Sequence, residues 1–163
     1  KGSIYERKIK EIIQAIRLTK EFPGRAGKEK VMTTYMNNNY YGSRAYGIRA
    51  AAEQYFGITD LSLLTLGQAA LLAGIPQAPS TYDLRANSIV CPAVPDACKG
   101  IADGVLVVPL DTPVAKRRVE VLNLLKATRD AGIPQETESI ENAAIEAAKS
   151  EALARPTANS QLA

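Results

Sequence analysis

The most informative absence in this sequence is histidine, which does not occur among its 163 residues. Without histidine, Ser-His-Asp triads, histidine general bases and histidine metal ligands are excluded. The sequence also contains no run of about 20 apolar residues, the length that a transmembrane helix requires. No segment has the pattern of a secretory signal peptide.

Cysteine is scarce as well. Cys91 and Cys98 are separated by six residues, in a segment that contains proline and glycine. Two cysteines without histidine are too few for a structural zinc site. A local disulfide in an oxidising compartment and a pair of free thiols are both consistent with this spacing.

The remaining composition is ordinary for one globular domain with a real core, at 46% hydrophobic and 23% charged residues. The formal charge of +3 is unevenly distributed. Residues 1–30 contain nine Lys or Arg and four Asp or Glu, a net charge of +5. Residues 130–163 contain two Lys or Arg and six Asp or Glu, a net charge of −4. A basic front half suits an anionic partner such as a phosphate, an acidic lipid surface or nucleic acid. The excess of positive charge is too small to distinguish among these partners.

Hydrophobic periodicity predicts a mainly α-helical fold. A first helix from about Ile4 to Glu21 places isoleucines 9, 12, 13 and 16 in the spacing of a buried stripe. Thr65 and Gln68 have the spacing of a capping box, which predicts the start of a short apolar helix. Further helices are predicted over residues 28–38, 45–55, 69–73, 114–129 and 136–154, with a short β segment inside an irregular loop at 88–113.

The stretch from Arg7 to Glu11 is the strongest candidate site. At about 100° per residue, Arg7 and Glu11 lie one turn apart on the face opposite the isoleucines, with Lys8 beside them. The simpler interpretation is an exposed ion pair worth about 0.3–0.5 kcal/mol. The more specific interpretation is a site where Arg7 and Lys8 hold an anion while Glu11 handles a proton or a metal ion.

Five motifs in one order support the specific interpretation. R-K-x-x-E is found at residues 7–11, K-x-x-V-x-x-x-Y-x-N at 28–37, a Y-Y-G, A-Y-G, A-A-A, Y-F-G run at 40–57, A-L-L-A-G-I-P at 70–76 and R-R-x-x-V-L at 117–122. Together they resemble the peptidoglycan glycosyltransferase family (glycosyl transferase family 51), the transglycosylase module of class A penicillin-binding proteins and monofunctional transglycosylases. The resemblance covers about residues 4–87 and, more loosely, 114–152.

The resemblance implies a lysozyme-like helical fold, of which residues 1–130 are the C-terminal part, with an insertion at 88–113. An acidic, alanine-rich helix and a polar tail follow at 131–163. The family has two motifs upstream of R-K-x-x-E, namely E-D-x-x-F and a T-x-T-Q-Q-like stretch, and neither occurs in this sequence. The first carries the glutamate thought to be the general base, so we expect the chain by itself to be inactive. It also has no S-x-x-K motif and hence no acylation site of its own.

The family polymerises lipid II into β-1,4 glycan strands and releases undecaprenyl pyrophosphate. By resemblance, Arg7 grips phosphate oxygens and Lys8 adds a point charge. Glu11 is the catalytic candidate, because it is the family's second carboxylate. It is expected to hold the donor's pyrophosphate site, either through a divalent cation (Mg or Mn) or by positioning the reacting sugars.

The other candidate substrate-binding residues are Tyr35, Asn37 and Gln77. Tyr35 and Asn37 are expected to line the cleft, with helix packing and a C-cap amide as their alternatives. Gln77 stands where many relatives place a lysine near the phosphates. Arg117 and Arg118 are expected to be structural and to pair with carboxylates elsewhere in the module.

The implied partners are lipid II, the growing glycan strand and the outer face of the cytoplasmic membrane, with a C-terminal transpeptidase domain in a longer parent and no nucleic acid. The implied location is the extracytoplasmic face of the bacterial cell membrane. One alternative is a lysozyme-like hydrolase or lytic transglycosylase with a catalytic glutamate. The Arg-Lys pair argues against it, because glycan hydrolysis has no pyrophosphate to neutralise. Another alternative is a non-catalytic helical module that binds DNA or membrane, which the ordered motif set disfavours.

Overall fold

Helices dominate this chain, as the sequence predicts. The computed structural model describes residues 4–91, 98–99, 101, 103–131 and 141–151, together with the backbone of 154–156. The contacts divide the chain into two units, Lys1–Asn38 and Asn39–Ala163. The helices are α1 (Ile4–Glu21), α2 (Gly24–Asn38), α3 (Ile48–Phe56), α4 (Leu66–Gly74), α5 (Pro113–Asp130) and α6 (Asn142–Ser150), and the strands are β1 (Ile89–Val90), β2 (Val105–Val107) and β3 (Ala154–Pro156).

The first unit consists of α1 and α2. The bounds of α1 agree with the prediction, but the predicted burial of its isoleucine stripe is wrong, because α1 has no buried residue. Isoleucines 9, 12, 13 and 16 are 57%, 58%, 44% and 51% exposed. A periodic stripe is buried only where another element covers it.

The second helix starts at Gly24 rather than at the predicted residue 28. The first turn of α2 lies directly against the backbone of Phe22. That backbone leaves no room for a Cβ atom at Gly27. Because glycine has no side chain, it allows this close approach of the chain immediately after Pro23.

The core of the second unit is organised around α4, which contacts α3, α5 and α6. Two alanines of α3, Ala51 and Ala52, are fully buried, and their small size allows close helix contacts. The main cluster of buried residues is Tyr41, Ala45, Ala51, Ala52, Tyr55, Leu71, Leu72, Ile75, Leu84, Val108, Val114 and Ala115.

The predicted capping box starts α4. The Gln68 backbone N–H donates to Thr65 Oγ1 at 3.2 Å, and the Thr65 backbone N–H donates to Gln68 Oε1 at 3.0 Å. The Thr65 hydroxyl also donates to Glu151 Oε1 at 2.6 Å. Gly67 has no space for a Cβ atom because the Glu151 carboxylate occupies that position. Glu151, which lies 86 residues after Thr65 in the sequence, therefore reinforces the local cap.

Arg118 is buried, at 1% exposure. Its Nη1 donates to the Glu151 carbonyl and its Nη2 to the Lys149 carbonyl, both at 2.8 Å. These carbonyls lie at the end of α6, where a helix lacks intrahelical donors. Burial lowers the pKa of Arg118, while the charge of Glu151 raises it. The partners of Arg118 are therefore backbone carbonyls rather than the predicted carboxylates, whereas Arg117 pairs with Glu120 at 2.8 Å.

The helix predicted over 136–154 is observed as α6, and residues 132–140 and 152–153 lie outside the described residues. Because α6 contacts both α4 and α5, it belongs to the same unit as they do. The division at residue 130 stays a prediction. The polar tail from residue 157 onward lies outside the described residues.

The predicted β segment is a small antiparallel sheet in the order β1-β2-β3, with Ile89 opposite Val107. Cys91 and Cys98 are joined by a disulfide with a Cα–Cα distance of 5.6 Å. The two cysteines and Val107 are buried together in a small cluster of their own. The disulfide therefore lies inside an apolar contact and not on an exposed loop.

The turn before α3 is left-handed over three consecutive residues. Gly42, Ser43 and Arg44 have φ of 85°, 43° and 66°, and the Ala45 backbone N–H donates to the Gly42 carbonyl at 2.8 Å. This turn explains why α3 begins at Ile48 and not at the predicted residue 45. A Cβ atom at Gly42 would lie 2.7 Å from Asp83 Oδ2, so only glycine fits.

We expect Arg118→Ala to lower the free energy of unfolding by about 2–4 kcal/mol, because it leaves a cavity and two partly buried carbonyls without donors. Urea titration measures this change. The matched control is Lys116→Ala at an exposed site two residues earlier, for which a change within about 0.5 kcal/mol is expected. Equal effects of the two substitutions would show that the buried guanidinium does not hold α6.

Ionisation of Tyr55 at high pH should destabilise the fold. Burial, followed by the negative charge of Asp83, raises the pKa of Tyr55 to about 12, and its hydroxyl donates to the Tyr41 carbonyl at 2.7 Å. Because the pKa of Tyr55 is higher in the folded state, the neutral side chain contributes to the free energy of unfolding. That contribution is fully present below the unfolded-state pKa of 10.0 and is lost as the pH rises toward 12. Ultraviolet titration should show a tyrosine signal that ionises about two pH units late, and this signal should be lost in Tyr55→Phe and kept in Tyr46→Phe. A Tyr55 midpoint near 10.0 would contradict this.

Candidate functional site

The candidate site on α1 is a single turn of helix. Lys8 Nζ donates to Glu11 Oε2 at 2.8 Å, and Arg7 Nε lies 3.8 Å from Glu11 Oε1. The side chains of Arg7, Lys8 and Glu11 are 68%, 62% and 45% exposed. The structure thus brings together the three residues that the helical spacing predicts to share a face.

Two cations share one carboxylate at this turn, which leaves a net positive charge. The contact of Arg7 with Glu11 is made by Nε, at one edge of the planar guanidinium. The terminal nitrogens of such a group are suited to bidentate binding of phosphate or carboxylate oxygens. The arrangement is chemically equipped to bind an anion beside a carboxylate.

Tyr35 lies on α2, where it lines an apolar groove. The groove has a volume of about 530 Å³, and Tyr35 is 54% exposed at its wall. Lys28 is the one charged residue of the lining, and Lys30 Nζ lies 5.2 Å from the centre of the Phe22 ring. The groove is lined by Leu18, Thr19, Phe22, Gly24, Lys28, Val31, Met32 and Tyr35.

Asn37 and Gln77 are both exposed. Asn37 lies in the last turn of α2. In that turn, the side-chain amide of Asn38 donates to the Thr34 carbonyl at 2.7 Å. The C-cap role proposed as the alternative for Asn37 is therefore filled by its neighbour. Gln77 closes the single-turn 3₁₀ helix Ile75–Gln77 that follows α4, and it belongs to the second unit.

Glu11 is the candidate ligand for a divalent cation. Within the residues that the structure describes, no group of three or more Asp, Glu or Cys side chains forms a metal site. Both oxygens of Glu11 face cations, which opposes binding of a further cation. Among the described residues, the donors at Glu11 therefore do not fit a bound divalent cation.

None of the helices within the described ranges is long and apolar enough to cross a bilayer.

A second concave surface, which the sequence did not predict, lies in the second unit. It is a polar cleft of about 730 Å³ lined by Ser43, Arg44, Ala50, Glu53, Gln54 and Arg85. These residues come from the left-handed turn, from α3 and from the segment after Asp83. No local pattern connects them, so the cleft has no signal in the sequence.

The helices and the cationic turn of α1 define the class of protein: it is a helical domain with an exposed, positively charged R-K-x-x-E face. The family model described as "Transglycosylase" matches residues 1–101. The chain therefore belongs to the transglycosylase family, as the five motifs predict.

Several penicillin-binding proteins are similar to this chain. Penicillin-binding protein 1A/1B of Bacillus subtilis (strain 168) is 45% identical over 78 residues, which are 48% of this chain and 8% of that protein. Penicillin-binding protein 1A of Aquifex aeolicus (strain VF5) is 47% identical over 78 residues, 48% of this chain and 10% of that protein. The chain thus matches about a tenth or less of the length of these relatives.

A crystal structure of penicillin-binding protein 1A from Haemophilus influenzae is 27% identical to this chain, with a TM-score of 0.49. The match covers 82% of this chain and 15% of that one.

The exposure of the α1 site predicts that it contributes little to stability. We expect Glu11→Gln to change the free energy of unfolding by less than about 0.5 kcal/mol, because exposed ion pairs are screened by solvent. The control is Glu29→Gln on α2, since Glu29 pairs with Arg25 Nε at 2.9 Å in the same i, i+4 geometry. A loss well above 1 kcal/mol for Glu11→Gln alone, measured by urea titration, would assign Glu11 a structural role.

Proposed function

We propose that this chain is part of a peptidoglycan glycosyltransferase, which polymerises lipid II into β-1,4 glycan strands and releases undecaprenyl pyrophosphate. The observation that carries the proposal is the exposed turn on which Arg7 and Lys8 flank Glu11. The order of these residues is that of the family's R-K-x-x-E motif, and the transglycosylase family model matches the first 101 residues.

The reaction joins two lipid-linked sugars. The 4-hydroxyl of one unit attacks the anomeric carbon of the other, the bond from that carbon to the pyrophosphate oxygen breaks, and the configuration inverts. The attacking hydroxyl loses a proton to a base, and the leaving pyrophosphate gains negative charge. Catalysis therefore requires fixed positive charge at the leaving group.

Arg7 and Lys8 supply that charge in the proposal. A guanidinium binds two phosphate oxygens at once, and a lysine ammonium adds an attractive charge without fixed direction. Glu11 holds Lys8 at 2.8 Å, so the ammonium is placed on the same side of the helix as Arg7 before substrate arrives. Such prior placement reduces the entropy lost on binding.

The remaining predicted residues have supporting roles. Tyr35 borders the apolar groove beside Lys28, and we propose that it lines the substrate cleft with Asn37. Gln77 is proposed to contribute a neutral hydrogen-bonding group near the phosphates. These three roles rest on the match to the family's motifs.

The location and partners are part of the same proposal. The names of the relatives describe penicillin-binding proteins, which supports a longer parent protein that includes a transpeptidase domain. By the same resemblance, we propose that the reaction takes place at the extracytoplasmic face of the bacterial cell membrane, with no nucleic acid among its partners.

The test is binding of inorganic pyrophosphate to the 163-residue chain, measured by calorimetry. We expect Arg7→Gln to weaken binding tenfold or more, because a charge-assisted hydrogen bond contributes about 1.5–3 kcal/mol. The matched control is Arg25→Gln, which removes another exposed arginine from an i, i+4 pair and should leave the affinity unchanged. Equal affinities for the two variants would refute the proposed role of Arg7.

Glycan polymerisation from lipid II provides a second readout. We expect no product from this chain alone, because the glutamate of the E-D-x-x-F motif is not among its residues. Polymer formation by the unaltered chain would show that its own carboxylates include the general base.

A further inference from the structure

The polar cleft of the second unit collects three charged side chains. Arg44 and Arg85 contribute two guanidinium groups and Glu53 contributes one carboxylate, and all three residues are exposed. Across the part of the chain that the structure describes, none of the ion pairs involves any of these three side chains. Unneutralised charges that converge on one concavity are typical of a binding site.

The backbone that carries Arg44 is held in an unfavourable conformation. Ser43 and Arg44 adopt φ of 43° and 66°, a region that costs a residue with a side chain about 1–2 kcal/mol. Such residues persist where the surrounding contacts fix them, and they concentrate at functional sites. The turn therefore points to a role for the Arg44 position.

One carboxylate fixes both arginine-bearing segments. Asp83 accepts from the Ser43 hydroxyl at 2.8 Å, which holds the residue before Arg44. Asp83 also accepts from the backbone N–H of Arg85 at 2.9 Å and of Ala86 at 3.3 Å. The backbones of Arg44 and Arg85 are consequently placed by the same group, without any ligand.

The part of the cleft that α3 forms is fixed as well. The Gln54 side-chain amide donates to the Ser43 carbonyl, which links the turn to α3 immediately beside Glu53. A ligand therefore meets a preformed cleft, and preorganisation lowers the cost of binding.

The charges define the ligand. Two guanidinium groups complement a carboxylate, which they can bind through paired hydrogen bonds. Glu53, together with the negative charge of Asp83, disfavours a multiply charged anion and attracts an ammonium group. We propose that this cleft binds a small zwitterion, a free amino acid or a short peptide, with its carboxylate between Arg44 and Arg85 and its ammonium at Glu53. The inference goes beyond the proposed glycosyltransferase role, because it uses none of the residues of the α1 site.

The probe is glycylglycine, added to the ¹⁵N-labelled 163-residue chain and followed by amide NMR shifts. We expect saturable shifts at residues 43–45, 53–54 and 85. Arg44→Gln, Arg85→Gln and Glu53→Gln should each weaken binding about fivefold, the effect of losing one exposed charge contact. The control is Arg25→Gln, which removes an exposed arginine of the first unit that is not in the cleft lining, and this variant should bind as the unaltered chain does.

Two analogues separate the charges on the unaltered chain, so the outcome does not depend on the folding of any variant. N-acetylglycylglycine lacks the ammonium and glycylglycine amide lacks the carboxylate, and both should bind more weakly than glycylglycine. Equal binding of all three compounds, or no saturable shift at the cleft, would overturn the proposal. Arg7→Gln should leave glycylglycine binding unchanged, so a failure here is distinguishable from a failure of the pyrophosphate site.

Discussion

The buried guanidinium of Arg118 is the interaction on which the second unit depends. A buried charge is tolerated only when its donors find acceptors, and Arg118 finds them in the carbonyls of Lys149 and Glu151 at the end of α6. The Glu151 side chain continues the connection to Thr65, at the start of α4. The three helices α4, α5 and α6 are thus joined by polar contacts that specify one arrangement, in addition to the non-directional burial of apolar side chains. The Nε atom of Arg118 is buried without a partner among the described residues, which makes the two Nη contacts still more important.

Local features of this fold were predictable and tertiary ones were not. The capping box of Thr65 and Gln68 requires only four consecutive residues, so its two hydrogen bonds follow from the sequence. The helical period correctly gave the extent of α1 but not the exposure of its isoleucines, because the period shows which side chains share a face and not what covers them. The sequence predicts a structural role for Arg118 but not its carbonyl partners, because these depend on where α6 ends.

The two candidate sites differ in the same way. Arg7, Lys8 and Glu11 lie on one helical turn, and the periodicity of a helix is enough to bring them together. The polar cleft instead requires Asp83 to meet a turn about 40 residues earlier in the chain. Its left-handed Ser43 and Arg44 have no counterpart in a sequence pattern, because residues with side chains rarely adopt that conformation.

The pairing of β1 with β2 has a consequence for how this domain varies. Ile89 lies directly opposite Val107, so the chain leaves the helical body and returns to it at neighbouring positions. The segment between the strands is closed on itself by the Cys91–Cys98 disulfide and by its own buried cluster. Lengthening that segment leaves the separation of its two ends unchanged, and the entropic cost of a longer loop rises only slowly. The hairpin is therefore the place where related proteins can diverge in length, and where an affinity tag or a fluorescent domain can be inserted, without displacing α4 or α5.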